Sequence, residues 1–482
     1  MRRRKILTAS TSALVLLLAG CAMGPDYKKP QTPMPDNFRG ASAEAAAQSL
    51  ADLPWWDLYK DETLTGLIRT ALSDNFDLRV AVTRVEQAHA VADQTRAQYF
   101  PRLGYQGTFA PGRNELLGQA EPSGTNTTAT AFSANVFWEL DIWGHVRRLN
   151  EAARAQYLAT EEAQRGVVLT LVADVATAYF QLLELDDELA IARRNADSFA
   201  RSLKLFRDQL GGGVASKLET DSAEALYDSA TSQIPELERQ IALQENLISI
   251  LLGRRPGAIA CRTTLMDQPL PPEVPAGLPS ALLERRPDVR QAEQWLRSAN
   301  AQIGVAKTDF FPQLNLTGFL GRVSPSLSTL TDGTWNAWSL GGTLTGPIFE
   351  GGRLRAQYRQ AKAAWDQAQI QYQQTALNAL QEVSNALISR QKYEEVRRQQ
   401  AAAVVAYREA VLVATKRFIA GRASYYEVLQ AQQQIFPAEI TLARTELGQL
   451  LTVVQLYKAL GGGWQTEAAP AAVPASPAAP HN

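Results

Sequence analysis

Apolar residues recur with alternating spacings of four and three along residues 144–211. The positions that follow this rule are all apolar: Leu171, Val175, Ala178, Leu182, Leu185, Leu189, Ala192, Ala196, Phe199, Leu203, Phe206 and Leu210. Strict seven-residue periodicity makes a helix supercoil with its neighbours. Such a helix would be roughly 100 Å long, about three times the hydrocarbon thickness of a bilayer. Because it also carries charges such as Asp186 and Arg193, the pattern predicts a long helix that stands in water.

Four other segments alternate apolar and polar residues with a period of two. Their apolar sets are Leu103, Tyr105, Gly107 and Phe109; Phe132, Ala134, Val136, Trp138, Leu140 and Ile142; Leu314, Leu316, Gly318 and Leu320; and Trp338, Leu340, Gly342, Leu344, Gly346 and Ile348. Alternation over about ten residues is typical of a transmembrane β-strand, although a half-buried sheet of a soluble domain gives the same pattern. Tryptophan prefers membrane interfaces, and the tryptophans near the predicted strand ends therefore favour the membrane: Trp138, Trp143, Trp335 and Trp338.

Four strands are too few to close a barrel, and lipid tolerates no open sheet edge. The sheet must therefore close by combining chains. Two chains would supply eight strands and three chains would supply twelve. The sequence does not decide between these numbers.

The chain repeats itself. Phe100-Pro101 recurs as Phe311-Pro312, a step of 211 residues, and Gly213 recurs as Gly421, a step of 208. Each copy reads helix, strand, strand, long helix, helix. The predicted elements are 58–100, 102–110, 130–143, 144–211 and 215–252 in the first copy, and 280–311, 312–322, 335–349, 351–420 and 424–460 in the second. The copies occupy 58–252 and 280–460, with a Pro-rich connection at 253–279 and an Ala/Pro-rich tail, predicted to be disordered, at 461–482.

The second long helix differs from the first in its apolar stripe. Arg390, Arg397 and Gln400 interrupt it. A plain coiled-coil rod gains nothing from polar breaks in one copy, whereas a helix that lines a wet interior could use them. Both interpretations remain open at this point.

The N-terminus carries a targeting signal. Residues 1–20 combine a basic start with a short apolar run, and Leu18-Ala19-Gly20-Cys21 ends it. The run is too short for a helical membrane span and fits a signal peptide. The four residues resemble a bacterial lipobox, which predicts that Cys21 carries lipid, with palmitate among its acyl chains. Cys21 would then be the first residue of a lipidated periplasmic segment at 21–57. Only Cys261 then remains, so no intramolecular disulfide is possible.

Composition removes several classes of function. The chain has 48 basic and 49 acidic residues and a net charge of −1, which argues against a nucleic-acid partner. The three histidines, His89, His145 and His481, share no metal-ligand spacing. We find no P-loop, dinucleotide fingerprint, nucleophile elbow or HExxH helix. We therefore expect no catalytic residue, no metal and no cofactor, and we do not expect the protein to be an enzyme.

Five motifs together resemble one family. They are CAMGPDYKKP at 21–30, WWDLYKDETLTGLIRTALSDNFDLR at 55–79, ERRPDVRQAEQWLRSANAQIGVAKTDFFP at 284–312, GPIFEGGRLRAQY at 346–358 and RFIAGRASYYEVLQAQ at 417–432. The chain resembles TolC-type outer-membrane efflux proteins of the lipoprotein branch (OprM/NodT-like), over essentially its whole mature length.

The resemblance implies a fold and partners. The fold is mainly α with membrane β: a homotrimeric 12-stranded β-barrel in the outer membrane, continuous with a long periplasmic α-helical barrel, with two structural repeats per chain. The partners are a periplasmic adaptor, an inner-membrane efflux pump, expected to be proton-driven, and outer-membrane lipid. The function is the exit duct for drugs or other toxic small molecules.

The resemblance also points to particular residues. The helix turns at 211–216 and 421–424 would be periplasmic tips that meet the adaptor, through Gly213, Ser216, Gly421 and Ser424. Glycine suits the positive φ that ends a helix, and serine can cap the next helix. Relatives narrow the entrance at positions matching Tyr426 and Gln430. OprM-like proteins often have a carboxylate at the second position, so an aromatic constriction by Tyr426 is the hypothesis here and a core role for Tyr426 is the alternative.

Two other readings compete with the duct. A lipidated periplasmic coiled coil that acts as a structural tether without a pore explains Cys21 and the heptads, but it leaves the amphipathic strands without a role. A general diffusion porin needs more strands per chain and no such long helices.

Overall fold

The computed structural model of the chain describes residues 22–41, 49–52, 60–112, 127–260, 263–268, 277–324, 327–331 and 336–463. The helices are α1 (Glu62–Asp74), α2 (Phe76–Arg96), α3 (His145–Gly211), α4 (Lys217–Leu251), α5 (Leu282–Arg285), α6 (Pro287–Thr308), α7 (Arg353–Ile419) and α8 (Tyr425–Ala459). The strands are β1 (Arg102–Gly112), β2 (Thr127–Leu140), β3 (Gln313–Ser324) and β4 (Asn336–Thr345). The signal peptide, Cys21, Trp335 and most of the C-terminal tail lie outside the described residues.

The two copies have matching elements. Helices α3 and α7 each contain 67 residues, and α4 and α8 each contain 35. His145 to Arg353 and Lys217 to Tyr425 are both steps of 208 residues, the offset found in the sequence. The prediction of two structural repeats per chain is confirmed.

The predicted helix over 58–100 is wrong in one respect, because it is two helices. Asn75, between α1 and α2, has an extended backbone with ψ 131°. Its side-chain oxygen accepts a hydrogen bond from the Leu78 N–H at 2.9 Å, and its amide group donates to the Leu251 carbonyl at 2.9 Å. The asparagine thus caps α2 and ties it to the end of α4. A similar break precedes Pro287, which disfavours helical backbone at the residue before it.

The second strand ends earlier than the alternation predicts. It was expected to run over 130–143, but β2 stops at Leu140. The Asp141 carboxylate accepts hydrogen bonds from the N–H groups of Val146 and Arg147, each at 3.0 Å. Asp141 therefore caps the start of α3, and capping takes the chain out of the sheet.

The four strands form one antiparallel sheet in the order β1-β2-β3-β4. Leu103 pairs with Val136, Val136 with Gly318, and Gly318 with Leu340. Residues directly opposite each other lie on the same face of a sheet. The members of the four predicted apolar sets that lie within the strands therefore form one continuous face. The fourth strand was predicted over 335–349 but ends at Thr345, so Gly346 and Ile348, like Ile142 after β2, lie beyond the sheet.

The chain divides into two compact units, each assembled from both repeats. One unit comprises Met1–Gln31, Arg84–Glu161 and Gln291–Gln373 and contains the sheet. The other comprises Thr32–Thr83, Glu162–Arg290 and Gln374–Asn482 and contains both helix turns. In the second unit Tyr179 of α3 is completely buried, and its hydroxyl donates to Asp61 at 2.9 Å. Among the described helices, α3 alone has a stretch apolar enough to cross a membrane, and 61% of that stretch is buried inside the protein.

Candidate functional site

The turns that join α3 to α4 (residues 212–216, the first turn) and α7 to α8 (residues 420–424, the second turn) have the same backbone. Gly213 has φ +73° and Gly421 has φ +69°. In the first turn Gly213 N–H donates to Leu210 O at 3.0 Å, and Val214 N–H donates to Gln209 O at 2.9 Å. The second turn repeats both hydrogen bonds, from Gly421 to Phe418 and from Arg422 to Arg417. These are Schellman motifs, and the expected positive φ of both glycines is confirmed.

The serines of the two turns differ. Ser216 and Glu219 form a capping box, in which Glu219 N–H donates to the serine hydroxyl and Ser216 N–H donates to the Glu219 carboxylate at 2.8 Å. The hydrogen bonds from Ser216 lower the pKa of Glu219. Ser424 occupies the N-cap position of α8, but its side chain makes no cap hydrogen bond to the described residues. The expectation that serine caps the following helix is therefore right in the first turn and wrong in the second.

An aromatic cluster joins the two turns. Tyr425, the first residue of α8, packs edge-on against Phe206 of α3 at 4.9 Å and against Phe418 of α7 at 4.8 Å between ring centroids. Its hydroxyl is hydrogen-bonded to the Ser202 hydroxyl. Sequence reasoning missed Tyr425, because its partners lie in two other helices and only Phe206 carries a periodic signal.

The two gate candidates, Tyr426 and Gln430, lie on the exposed side of α8. Tyr426 is 72% exposed, and Gln430, one helical turn later, is exposed as well. Val428 and Leu429, which lie between them in sequence, are buried. Among the described residues of a single chain Tyr426 is thus not packed in the core, whereas the neighbouring Tyr425 is packed against Phe206 and Phe418.

Ion pairs link α8 to α3 and α7. Arg444 lies 2.7 Å from Glu188 and 3.7 Å from Glu184 of α3. Burial and the neighbouring Glu188 raise the pKa of Glu184 to about 8. Arg397 of α7 lies 2.5 Å from Glu446 of α8. Arg397, which interrupts the apolar stripe of α7, thus forms a salt bridge between two helices. This salt bridge accounts for the arginine without a role in lining a wet interior.

The sheet has two chemically different faces. On the apolar face Leu103, Tyr105, Leu340 and Leu344 are exposed, and Leu340 is 82% exposed. Exposed apolar surface of this extent marks a face that contacts lipid or protein. The opposite face carries residues such as Gln106, Ser133 and Ser339.

The described tryptophans of the predicted set lie close to strand ends, as predicted; Trp335 lies outside the described residues. Trp138 donates from its indole N–H to Tyr99 O at 3.1 Å, and Trp143 donates to Pro312 O at 2.8 Å. Trp338 is 73% exposed on the apolar face. A membrane-interface role for these residues stays a prediction.

Comparison with known proteins agrees with this arrangement. The family model for outer membrane efflux proteins matches residues 67–254 and 278–462. The chain is 34% identical to the solvent efflux pump outer membrane protein SrpC of Pseudomonas putida over 457 residues, covering 93% of this chain and 97% of SrpC. It is 34% identical to the outer membrane protein OprJ of Pseudomonas aeruginosa, covering 96% and 97%. It is 32% identical to the cation efflux system protein CusC of Escherichia coli O6:H1, covering 94% and 98%.

Two solved structures have the same fold. The outer-membrane channel OprN gives a TM-score of 0.84 at 30% identity and covers 92% of this chain and 100% of OprN. The open state of the MtrE outer membrane channel of Neisseria gonorrhoeae gives 0.83 at 28% identity and covers 92% and 99%. The fold class is thus the expected one, a trimeric outer-membrane channel with a β-barrel and a mainly helical periplasmic barrel. The chain belongs to the outer membrane efflux protein family and serves as the outer-membrane duct of an efflux system.

Proposed function

We propose that three copies of this chain, each lipid-anchored at Cys21, form the exit duct of a tripartite system that exports toxic small molecules. A periplasmic adaptor would dock on the helix turns and connect the duct to a proton-driven inner-membrane pump. The chain itself would catalyse no reaction. The observation that carries the proposal is the four-stranded sheet with its exposed apolar face and its polar reverse.

Closure of the barrel follows from the edges of this sheet. β1 and β4 each pair with one strand among the described residues, so each has one unpaired edge. Unpaired backbone groups are not tolerated in hydrocarbon, and joining β4 of one copy to β1 of the next satisfies them. Three copies supply twelve strands, a number within the range of known outer-membrane barrels. A coiled-coil tether without a pore would have no use for such a sheet.

The segment that follows Cys21 supports the anchor. Met23 N–H donates to Trp143 O at 3.0 Å, and the buried Arg148 donates to Met23 O at 3.0 Å and to Asp26 at 3.0 Å. The chain is therefore fixed beside Trp143, just beyond the end of β2, immediately after the lipidation site. A lipid on Cys21 would enter the membrane next to the sheet that the same membrane surrounds.

The turns support the adaptor contact. Gly213 and Gly421 are exposed, and Val214 between α3 and α4 is 81% exposed. Both turns are therefore accessible to a protein partner.

Valine at either glycine tests this contact. We expect Gly213→Val and Gly421→Val to abolish pump assembly and export while the trimer persists, measured by adaptor cross-linking and drug susceptibility. Gly351→Val is the matched control, because Gly351 also has positive φ (+56°) and open space among the described residues but lies before α7. Undiminished export in both turn variants would refute the adaptor contact.

Deletion of the gene tests the duct itself. The deletion strain should become susceptible to compounds from a broad panel of solvents, antibiotics and metal cations, classes chosen because relatives are named for solvent, antibiotic and cation efflux. The wild-type gene should restore resistance, and Cys21→Ser should restore it less well if the lipid aids insertion. Unchanged susceptibility to every compound, in a strain with no second duct, would contradict the function.

A further inference from the structure

A histidine lies where the sheet meets the first long helix. His145 is the first residue of α3, and Glu139 is the last residue but one of β2. The Nδ1 atom of His145 lies 3.4 Å from the Glu139 carboxylate, and its Nε2 atom lies 3.9 Å from the carboxylate of Asp309, which directly follows α6. The imidazole ring thus stands between two acids that belong to different repeats.

Both nitrogens of this ring face an acceptor. The side chain is 25% exposed, and its Nδ1 atom is buried without a hydrogen bond of regular geometry among the described residues. A neutral imidazole has one N–H and one lone pair, so one nitrogen would turn its lone pair toward a carboxylate. The imidazolium form donates from both nitrogens and is attracted to both acids. The Glu139 carboxylate therefore raises the pKa of His145 against the opposing effect of burial, and the charges of Asp309 and Asp141 add to this rise.

The third acid near the ring, Asp141, has partners of its own. Its carboxylate lies 3.0 Å from the Arg147 guanidinium and caps the start of α3. The cap also places a negative charge at the positive end of the α3 dipole, which would otherwise oppose a cation on the first residue of the helix. Glu139 and Asp309 are therefore the acids that the charge of His145 balances.

The second repeat has a permanent cation at the equivalent position. His145 corresponds to Arg353, the first residue of α7, at the offset of 208 residues. Arg353 lies 2.5 Å from Glu350, and this carboxylate, with the charge of Asp309 added to it, raises the pKa of Arg353. The charge of Asp309 thus acts on one cation from each repeat. Arginine stays charged throughout the physiological range, whereas histidine changes its charge near neutral pH.

The same two segments are also joined by contacts that do not titrate. The indole N–H of Trp143 donates to Pro312 O at 2.8 Å, and its ring packs against Phe311 at 5.0 Å between centroids. A neutral His145 would leave these contacts in place and would lose the attraction to its two acids. Deprotonation should therefore loosen the junction without taking it apart.

We propose that His145 is a proton-operated tie between the two repeats at the level where the sheet meets the helices, closed in acid and open in alkali. The direction follows from the charge. A group whose pKa is raised by folding stabilises the fold fully below its unfolded value, about 6.5 for histidine, and this contribution is lost as pH rises through the folded value. The tie is a property of the junction and does not depend on which solutes the duct exports.

Hydrogen exchange of the purified trimer tests the tie, with variants compared at the same pH so that the intrinsic exchange rate cancels. His145→Arg keeps the charge at every pH, and His145→Gln never has it. In peptides that cover 140–150 and 306–314, wild type should match His145→Arg at about pH 5.5 and His145→Gln at about pH 8.5. The two variants should differ about two- to fivefold in protection, as expected for a partly exposed ion pair.

His89→Gln is the matched control. His89 is an exposed histidine of α2 that lies 3.3 Å from Asp93 of the same helix, so its substitution should leave exchange in both peptides as in wild type. If wild type follows the same His145 variant at both pH values, or if His89→Gln changes these peptides as much as His145→Gln does, the inference is overturned.

Titration of the ring itself separates a proton-operated tie from a merely structural role. Diethyl pyrocarbonate modifies neutral imidazole, and mass spectrometry resolves the three histidines of the chain, so the pH midpoint of modification can be measured for His145 alone. The midpoint should lie above about 6.5 and should fall in Asp309→Asn and in Glu139→Gln. A midpoint at or below about 6.5, or one that neither substitution moves, would contradict the inference even if a His145 variant failed to fold.

Discussion

Arginine at position 340 tests whether the apolar face of the sheet contacts lipid. Leu340 is 82% exposed and is the fifth of ten residues of β4, so it lies near the middle of the strand. An arginine on the lipid side costs about 2–4 kcal/mol at the bilayer midplane, which is about 6–12 kcal/mol for a trimer with three copies. The preceding residue, Ser339, points to the other face, where the same substitution should cost less than about 1 kcal/mol.

Leu340→Arg and Ser339→Arg lie at adjacent positions of β4 and on opposite faces of the sheet, so each variant is the control for the other. The assay is migration of heated and unheated trimer extracted from membranes, together with urea unfolding in lipid vesicles. Leu340→Arg should reduce the amount of trimer and lower its dissociation temperature, whereas Ser339→Arg should match wild type. Leu340→Ala, which keeps an apolar side chain, should lie close to wild type.

Two results would refute the reasoning. If Leu340→Arg is tolerated in a stable trimer, this face is in water. If Ser339→Arg is as harmful as Leu340→Arg, the reverse of the sheet is packed as well and does not line a water-filled interior.

Three further substitutions give separate expectations. The raised pKa of Glu184 means that the folded chain binds a proton more tightly than the unfolded chain does, so its contribution to stability falls as pH rises from about 4.5 to about 8. Glu184→Gln should therefore gain thermal stability relative to wild type between pH 6 and pH 9; an unchanged difference across this range would contradict the burial of the carboxyl. Gly24→Ala should loosen the N-terminal segment and raise its proteolysis, because a Cβ on this positive-φ residue would lie 2.5 Å from Gly304 Cα; unaltered proteolysis would count against that contact. Tyr426→Ala should raise single-trimer conductance if the exposed ring narrows the entrance, and an unchanged trace would argue against the gate.

The sequence predicted the elements that repeat. The lengths of α3 and α7 and the two faces of the sheet could be predicted because helix and strand periodicities are written in consecutive residues. The constant spacing between the two copies gave each predicted helix and strand a counterpart in the other copy, which supported the assignment of both. Positive φ at Gly213 and Gly421 also followed from local chemistry, since glycine is the usual residue where a helix ends in the left-handed conformation.

The features that the sequence missed depend on distant partners. Asn75 divides the predicted first helix, and the Leu251 carbonyl that its side chain contacts lies 176 residues away. Ser216 caps α4 together with Glu219. The residue equivalent to Glu219 in the second turn is Glu427, whose carboxylate lies 3.5 Å from the Arg417 guanidinium instead of forming a capping box with Ser424. Sequence alone gives both serines the same role.

The candidate gate shows the same division. The family resemblance pointed to Tyr426 and Gln430 as gate residues. The sequence did not show which of the adjacent residues Tyr425 and Tyr426 is packed in the core and which is exposed. The packing of Tyr425 between Phe206 and Phe418 sets the rotation of α8. The sequence by itself determined the repeats, the long helices and the two-faced strands, because those depend on local periodicity. Tertiary structure decided the helix break at Asn75 and the side of α8 that meets water, because both depend on contacts between residues far apart in the chain.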